Sequence, residues 1–458
     1  MMKNIISKFT YLVALVFSIT SCDLYDNLDQ VPAQSLSNET AITTPGDAEA
    51  ALLGTYSSMN QTSYYGRMHV VWGPNQFIYL GSTTSTTRAS TFDSENNNVN
   101  PVDNTLLNTW DNIYELANRA TNVIDAVPLI EDSAPFSSAT RKNEIIAEAR
   151  FLRGLAHFDA LRFFGRFWDQ TSDAGVPLRI VPGNTANAEL PRSTVAEVYA
   201  SITADLDFAV ANAPDFSASH LVSKDAARAI RARVALYMED YTTAISLVDQ
   251  VVGNFALETN YGDIFTNRLG SSEVIFGMFA NGTIEQSSHA FFFLSAATGG
   301  RQDYVPTAQF LSLISGDPRE AASVSLAPLE VIKYPSITAQ DDPTYIIRLA
   351  ELHFIKAEAL ARQAAPDLSA AQDELFIVSN RVGLLRSTAT TVAAFLDELQ
   401  SEKVKELAFE GSHSWFDAIR LGNARTIKPS ITSDDRLTLP IPQVELDANP
   451  AILQSDGY

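Results

Sequence analysis

A mainly α fold of stacked, tetratricopeptide-like helical hairpins is predicted by three observations. Long segments carry apolar residues at three- and four-residue spacing: Thr105 to Val127, Ala139 to Phe164, Thr194 to Asn212, Ser223 to Met238 and Tyr241 to Val252. Two stretches show the interlocking of small and large side chains that a helical hairpin needs. In one, Ala229, Ala232, Leu236 and Tyr237 lead into Tyr241, Ala244, Ile245 and Val248; in the other, Tyr345 to Arg362 precedes Leu368 to Val382. Hairpins of this kind cannot bury their faces alone, so they stack. Turn chemistry, by contrast, concentrates in the window 254–342, where Asn281-Gly282, Gly299-Gly300, Asp317-Pro318 and Pro335 separate short aromatic and β-branched runs.

In chain order, Met1 to Lys8 carries Lys3 and Lys8 with no acid, and the apolar run Phe9 to Ile19 leads into Thr20-Ser21-Cys22. This is the pattern of a signal peptide over 1–21. The run covers only about half of the roughly 20 residues that a spanning helix requires. Small residues directly before a cysteine resemble the lipobox of bacterial lipoproteins, so Cys22, the single cysteine, is the expected lipidation site. No disulfide can then form, and stability must rest on a large core. Residues 22–44 read as lipid anchor and tether, with Asp23, Asp26 and Asp29 among Leu24, Tyr25 and Leu28. The chain has 32 basic and 54 acidic residues, a formal net charge of −22. Such a surface repels nucleic acid phosphates and anionic headgroups alike, leaving acyl chains as the membrane attachment.

The body, 45–458, divides into a helical framework over 45–253 and 343–422, a loop-rich insertion over 254–342 and a C-terminal tail over 423–458. In 139–164, Ile145, Ala149, Leu152, Ala156 and Phe163 form one apolar stripe, and Ile146, Phe151, Leu155, Phe158 and Leu161 a second. A helix apolar on two sides lies between others. Gly165 is its expected stop, and Thr194 with Glu197 has capping-box spacing.

The local signatures of nucleotide binding, zinc proteolysis and the serine elbow are absent from the sequence. His69, His157, His220, His289, His353 and His413 are widely separated, and surface or packed positions explain them better than metal ligation. A glycan hydrolase needs only two carboxylates about 5–9.5 Å apart, and Glu402, Glu406 and Glu410 recur on one helix face. Lys403, Lys405, Asp417 and Arg420 nearby favour charge pairing instead.

Seven ordered blocks carry a family resemblance. They include Leu28-Asp29-Gln30-Val31-Pro32 after the lipobox, Ala147 to Leu155 with Phe164-Gly165, Gly175 to Leu178, Pro191 to Tyr199 and Ala226 to Ala229. The strongest are Glu406 to Gly411 with Trp415 to Gly422, then Leu439 to Pro442, Asn449-Pro450 and Gly457-Tyr458. Together they resemble the SusD/RagB family of nutrient-binding outer-membrane lipoproteins. The resemblance implies a tetratricopeptide-like superhelix with a less regular, loop-rich part packed on it, a binding protein without catalytic activity, and no cofactor. It also implies anchoring at the outer membrane facing outward, as the lid of a SusC-like TonB-dependent transporter that captures an oligosaccharide ligand. Peptide capture by the same architecture is the alternative, and a glycan hydrolase a more remote one.

Sugars are held by aromatic faces against C–H-rich rings, with planar polar groups on the hydroxyls. Two windows offer that mixture. The first, 60–104, holds Tyr64, Tyr65, Arg67, Trp72, Asn75, Gln76, Phe77, Tyr79 and Arg88; the second holds Phe291-Phe292-Phe293, Arg301, Gln302 and Tyr304. Of these, Arg67, Trp72, Asn75, Tyr79, Arg88, Arg301 and Tyr304 are the expected ligand-binding residues. Trp72 and Phe77 also fit a core, and the phenylalanine triplet a buried strand.

Overall fold

The computed structural model describes residues 41–66, 79–82, 92–93, 98–131, 136, 139–411 and 413–458. Cys22, the tether up to residue 40, and Arg67, Trp72, Asn75 and Arg88 lie outside them.

The segments with helical periodicity are helices. α1 (Pro45–Ser57) starts at a capping box between Thr44 and Asp47. α2 (Asn104–Ala126) starts at Asp103, whose carboxylate accepts from the N–H groups of Thr105 and Leu106. α3 (Ala139–Phe164), α4 (Val195–Asn212), α5 (Lys224–Tyr237) and α6 (Tyr241–Asp249) follow, and Thr194 and Glu197 form the expected capping box of α4. α3 packs between α2 and α4 and is buried nearly all round, as its two stripes require. Among its polar groups, Arg153 grips Asp205 of α4 through Nε and Nη2 at 2.7 and 2.8 Å. Gly165 ends α3 through close approach, because a Cβ there would stand 2.7 Å from Leu161 Cδ1 and 3.1 Å from the Ala174 carbonyl oxygen.

Short strands β1 (Leu80–Ser82), β2 (Phe92–Asp93) and β3 (Asn98–Val99) lie between α1 and α2. After α6 the chain leaves the helical stack through α7 (Asp263–Asn267), β4 (Val274–Met278), α8 (His289–Phe293), β5 (Tyr304–Pro306), α9 (Ala308–Ile314) and α10 (Glu320–Ser323). β6 (Val324–Leu326), β7 (Leu329–Val331) and β8 (Thr344–Arg348) complete this part. Among the described residues the ladders are antiparallel pairs: β1 with β5, β2 with β3, β4 with β8, and β6 with β7.

The stack then resumes with α11 (Leu349–Arg362), α12 (Leu368–Asn380), α13 (Val392–Leu407) and α14 (His413–Arg420). α11 packs directly on α5 and α6, so the insertion interrupts the sequence without interrupting the stack. Leu352, Ile355 and Ala359 of α11 join the main core, while Ala350, Phe354, Ala357 and Ala361 face a second cluster with α12 and α13. Two expectations change. The second hairpin begins at Leu349, not Tyr345, because the five buried residues of β8 pair with β4. The phenylalanine triplet is the one-turn helix α8 and not a strand: Phe292 and Phe293 point inward and Phe291 outward.

The tail, through α15 (Ala424–Ile427) and α16 (Gln443–Ala448), folds back on the first helices. The Leu439 N–H donates to the Phe163 carbonyl at 2.7 Å, the Gln443 N–H to the Pro101 carbonyl at 2.8 Å, and Arg192 Nη1 to Ser455 Oγ at 3.2 Å.

Candidate functional site

The two loop windows converge. β1 pairs with β5 in the register Leu80 to Pro306 and Ser82 to Tyr304, and the Thr307 N–H donates to the Tyr79 carbonyl at 3.0 Å. Tyr79 and Tyr304, 225 positions apart in sequence by their numbering, thus flank one short ladder. Tyr79 is half-buried, its ring 6.0 Å from Phe310, and burial raises its hydroxyl pKa above the ordinary value. Tyr304 is half-buried against Phe293, with ring centroids 6.4 Å apart.

Arg301 is delivered by the turn that follows α8. Gly299 takes a left-handed φ of 94°, and Gly300 passes so close to Leu294 that a Cβ would stand 2.0 Å from its carbonyl oxygen. The Arg301 N–H then donates to the Phe291 carbonyl at 2.7 Å, which folds Arg301 back over α8. Its guanidinium lies 5.0 Å from the Phe291 ring centroid and 5.1 Å from that of Phe292. Asp303 fixes the orientation by accepting from Arg301 Nε at 2.7 Å and also from Nη2. That hydrogen bonding raises the Arg301 pKa further, so the group is cationic throughout. Between them Gln302 adopts φ of 55°, a conformation that costs a non-glycine residue about 1 kcal/mol or more and that clusters at functional sites. The result is an exposed corner where α8 meets β5, presenting Phe291, Arg301 and Tyr304.

This corner is tied to the helical frame. His289 Nε2 meets Thr344 Oγ1 at 2.7 Å, and that hydroxyl donates to the Tyr65 carbonyl at 2.7 Å. With its one proton committed there, the hydroxyl must accept from His289, which places the imidazole proton on Nε2. Tyr64 and Tyr65 in turn donate to Asp159 Oδ2 at 2.6 and 2.7 Å. Both tyrosines are therefore core residues and are withdrawn from the candidate binding surface.

The carboxylates that a hydrolase would need are fully engaged. Glu406 receives Arg348 Nη1 at 2.8 Å, Arg319 Nη1 at 3.3 Å and Arg381 Nη2. Glu410 receives Arg348 Nε and Lys333 Nζ, both at 2.6 Å, and Glu402 receives Arg319 Nη2 at 2.7 Å. Glu273 of the insertion bonds Arg348 and, at 2.5 Å, Arg381. Burial alone would push the Glu406 carboxyl up, but Arg381, Arg348 and Arg319 outweigh it and hold it far below the usual range. Burial lowers the Lys333 ammonium to about 8, against the pull of Glu410. These groups weld the insertion to the framework. The sequence-local pairs form too, Lys403 with Asp417 at 2.7 Å and Arg420 with Asp417 at 2.8 Å.

Of the expected binding residues, the structure brings together Tyr79, Arg301 and Tyr304. Phe291 and Asp303 complete that corner; the Arg-x-Asp spacing was the available sign of the second. Among the described residues no group of three His, Cys, Asp or Glu side chains could hold a metal, and no helix is long and apolar enough to cross a membrane.

The chain matches two family descriptions, "Starch-binding associating with outer membrane" over residues 27–236 and "SusD family" over 332–458. It is 26% identical to a SusD-like protein of Formosa agariphila, over 100% of this chain and 99% of that one. A SusD superfamily crystal structure from Bacteroides thetaiotaomicron superposes with a TM-score of 0.78 at 25% identity, covering 90% of this chain and 100% of the other. A laminarin-binding SusD-like protein superposes at 0.75 with 21% identity, covering 91% and 100%.

Proposed function

Because the chain belongs to the SusD/RagB family, we propose that it is a cell-surface lipoprotein that captures oligosaccharide at the α8–β5 corner and delivers it to a SusC-like TonB-dependent transporter as its lid. The observation that carries the glycan reading is the Arg301 guanidinium held 5.0 Å from the Phe291 ring centroid, close to Tyr304 at the start of β5. An exposed aromatic face suits the C–H face of a pyranose, and a guanidinium oriented by Asp303 offers donors to its hydroxyls. A SusD-like fold that binds laminarin supports the same ligand class. Acyl chains on Cys22 would hold the base, and the acidic segment 23–44 would let the body swing.

Isothermal titration of the soluble form starting after Cys22, against neutral and acidic oligosaccharides and short peptides, tests this. Tyr304→Ala and Trp72→Ala are each expected to weaken binding of the recognised glycan about tenfold, close to 1.4 kcal/mol, with the unfolding transition retained. Unchanged affinity in both variants, or binding to peptides alone, would defeat the reading. Cys22→Ala should bind glycan in solution yet fail to support uptake; full growth on the glycan would refute the anchoring role.

A further inference from the structure

We propose that a second groove, centred on His220 and separate from the α8–β5 corner, binds an uncharged oligosaccharide segment. It shares the ligand class of the proposed function but none of its residues.

The groove is built by the loop between α4 and α5. That loop is stitched to the edge of β4 that β8 leaves open. Gly277 N–H donates to the Ser219 carbonyl at 2.8 Å, and Ser219 Oγ donates to the Val274 carbonyl at 2.8 Å. Three residues on, the Val222 N–H donates to Tyr56 Oη of α1 at 2.9 Å. His220 is thus held between two fixed points, with its ring 5.0 Å from Phe279 and inclined at 41°. On its other side Gly277 lets β4 lie close to β8 and Leu269, since a Cβ there would stand 2.6 Å from Leu269 Cδ2 and 2.9 Å from the Thr344 carbonyl oxygen.

Two depressions of about 490 and 810 Å³ meet at His220, within the range of about 300–1,000 Å³ typical of small-molecule sites. Each carries an aromatic pair. Phe279 is 43% exposed beside His220, and Phe216 is 41% exposed with its ring 5.0 Å from Phe255 at 83°. Asn254, Asn281 and Ser217 stand among the lining residues.

Charge selects the occupant. Neither depression is lined by a lysine or arginine among the described residues. The single carboxylate, Glu285, is already engaged by Ser57 Oγ at 2.5 Å and Asn60 Nδ2 at 2.9 Å. Burial holds the His220 pKa below its ordinary 6.5, so the ring is neutral at neutral pH. A uronate or sulfated glycan would enter a site with no counter-charge inside a strongly acidic protein. A neutral pyranose chain meets aromatic faces, amides and hydroxyls with no charge to desolvate.

The experiment follows the His220 imidazole by NMR, assigned with His220→Gln, while laminari- and xylogluco-oligosaccharides are added to about 10 mM, well beyond a millimolar dissociation constant. The expected result is a saturating shift that persists in Phe291→Ala, is insensitive to added salt, and disappears in Phe279→Ala. Phe216→Ser serves as the second lesion should Phe279→Ala not fold. No shift with any neutral oligosaccharide overturns the inference whatever happens at Tyr304. A shift produced only by acidic glycans, or only by an apolar peptide, overturns it equally. Loss of binding at Tyr304 with the His220 shift intact would count against the corner alone.

Discussion

Arg348 and Arg301 are the same residue type held by carboxylates, and they serve opposite ends. Arg348 is 1% exposed and bridges Glu273, Glu406 and Glu410, joining insertion to framework. Arg301 answers to Asp303 alone and lies open to solvent on an aromatic platform. What separates a structural ion pair from one that can meet a ligand is water on the cation: Arg348 is sealed with its partners, whereas the partly exposed Arg301 guanidinium, anchored by a buried Asp303, retains donors for a third party.

The comparison is tested most severely by Arg348→Met. Three buried carboxylates would lose a shared cation, which should destabilise the fold by about 3–5 kcal/mol in denaturant unfolding. A loss under about 1 kcal/mol would mean that Arg319, Arg381 and Lys333 suffice.

Acid probes the sealed region without mutation. Burial lowers the His157 and His413 pKa values to about 3, and His157 Nε2 accepts from the Arg179 N–H at 3.1 Å. Unfolded, each imidazole takes its proton near 6.5, so between those values the unfolded chain binds more protons and stability falls as pH drops. Asp342 acts in the other direction: burial raises its carboxyl to about 6, so the folded state gains protons first between 6 and 3.8. The histidines dominate, and lowering pH from 6.5 to 5.5 should cost about 1 kcal/mol net. His157→Gln should flatten that slope; an unaltered slope would place the acid sensitivity elsewhere.

Arg301→Met is the smallest perturbation of stability. Its guanidinium is partly exposed, although Asp303 is buried, so the unfolding free energy should fall by about 1–2 kcal/mol, well short of the Arg348→Met loss, while glycan affinity falls about tenfold, close to 1.4 kcal/mol. A stability loss comparable to that of Arg348→Met would erase the distinction between the two regions.

The framework was legible because period and caps are local. Thr194 and Glu197 announce α4 within four residues, and the two stripes of α3 announce its burial. The insertion was not legible to the same degree, because its strands are three to five residues long and β5 finds its partner β1 far back along the chain. The phenylalanine triplet has strand composition, yet tertiary packing of Phe292 and Phe293 makes it a helical turn. The charged face of α13 shows the same limit. Lys403 and Asp417 could be matched from sequence, whereas Arg319, Lys333, Arg348 and Arg381 converge on Glu406 and Glu410 only through the fold. At the corner, Arg301 and Tyr304 were legible as residue types; their meeting with Phe291 depends on the Gly299-Gly300 turn.

The return of the tail to the first helices has a consequence in time. Arg192 and Ser455 are separated by 263 positions, and at about 5–20 residues per second synthesis delivers the second some tens of seconds after the first. Until then Phe163 and Pro101 lack the N–H groups that finally meet their carbonyls, and the side of α3 that the tail covers stays open. The face of the N-terminal half that the tail covers is therefore completed late. If the chain is exported as proposed, a face that closes late would ease its passage through a translocation pore.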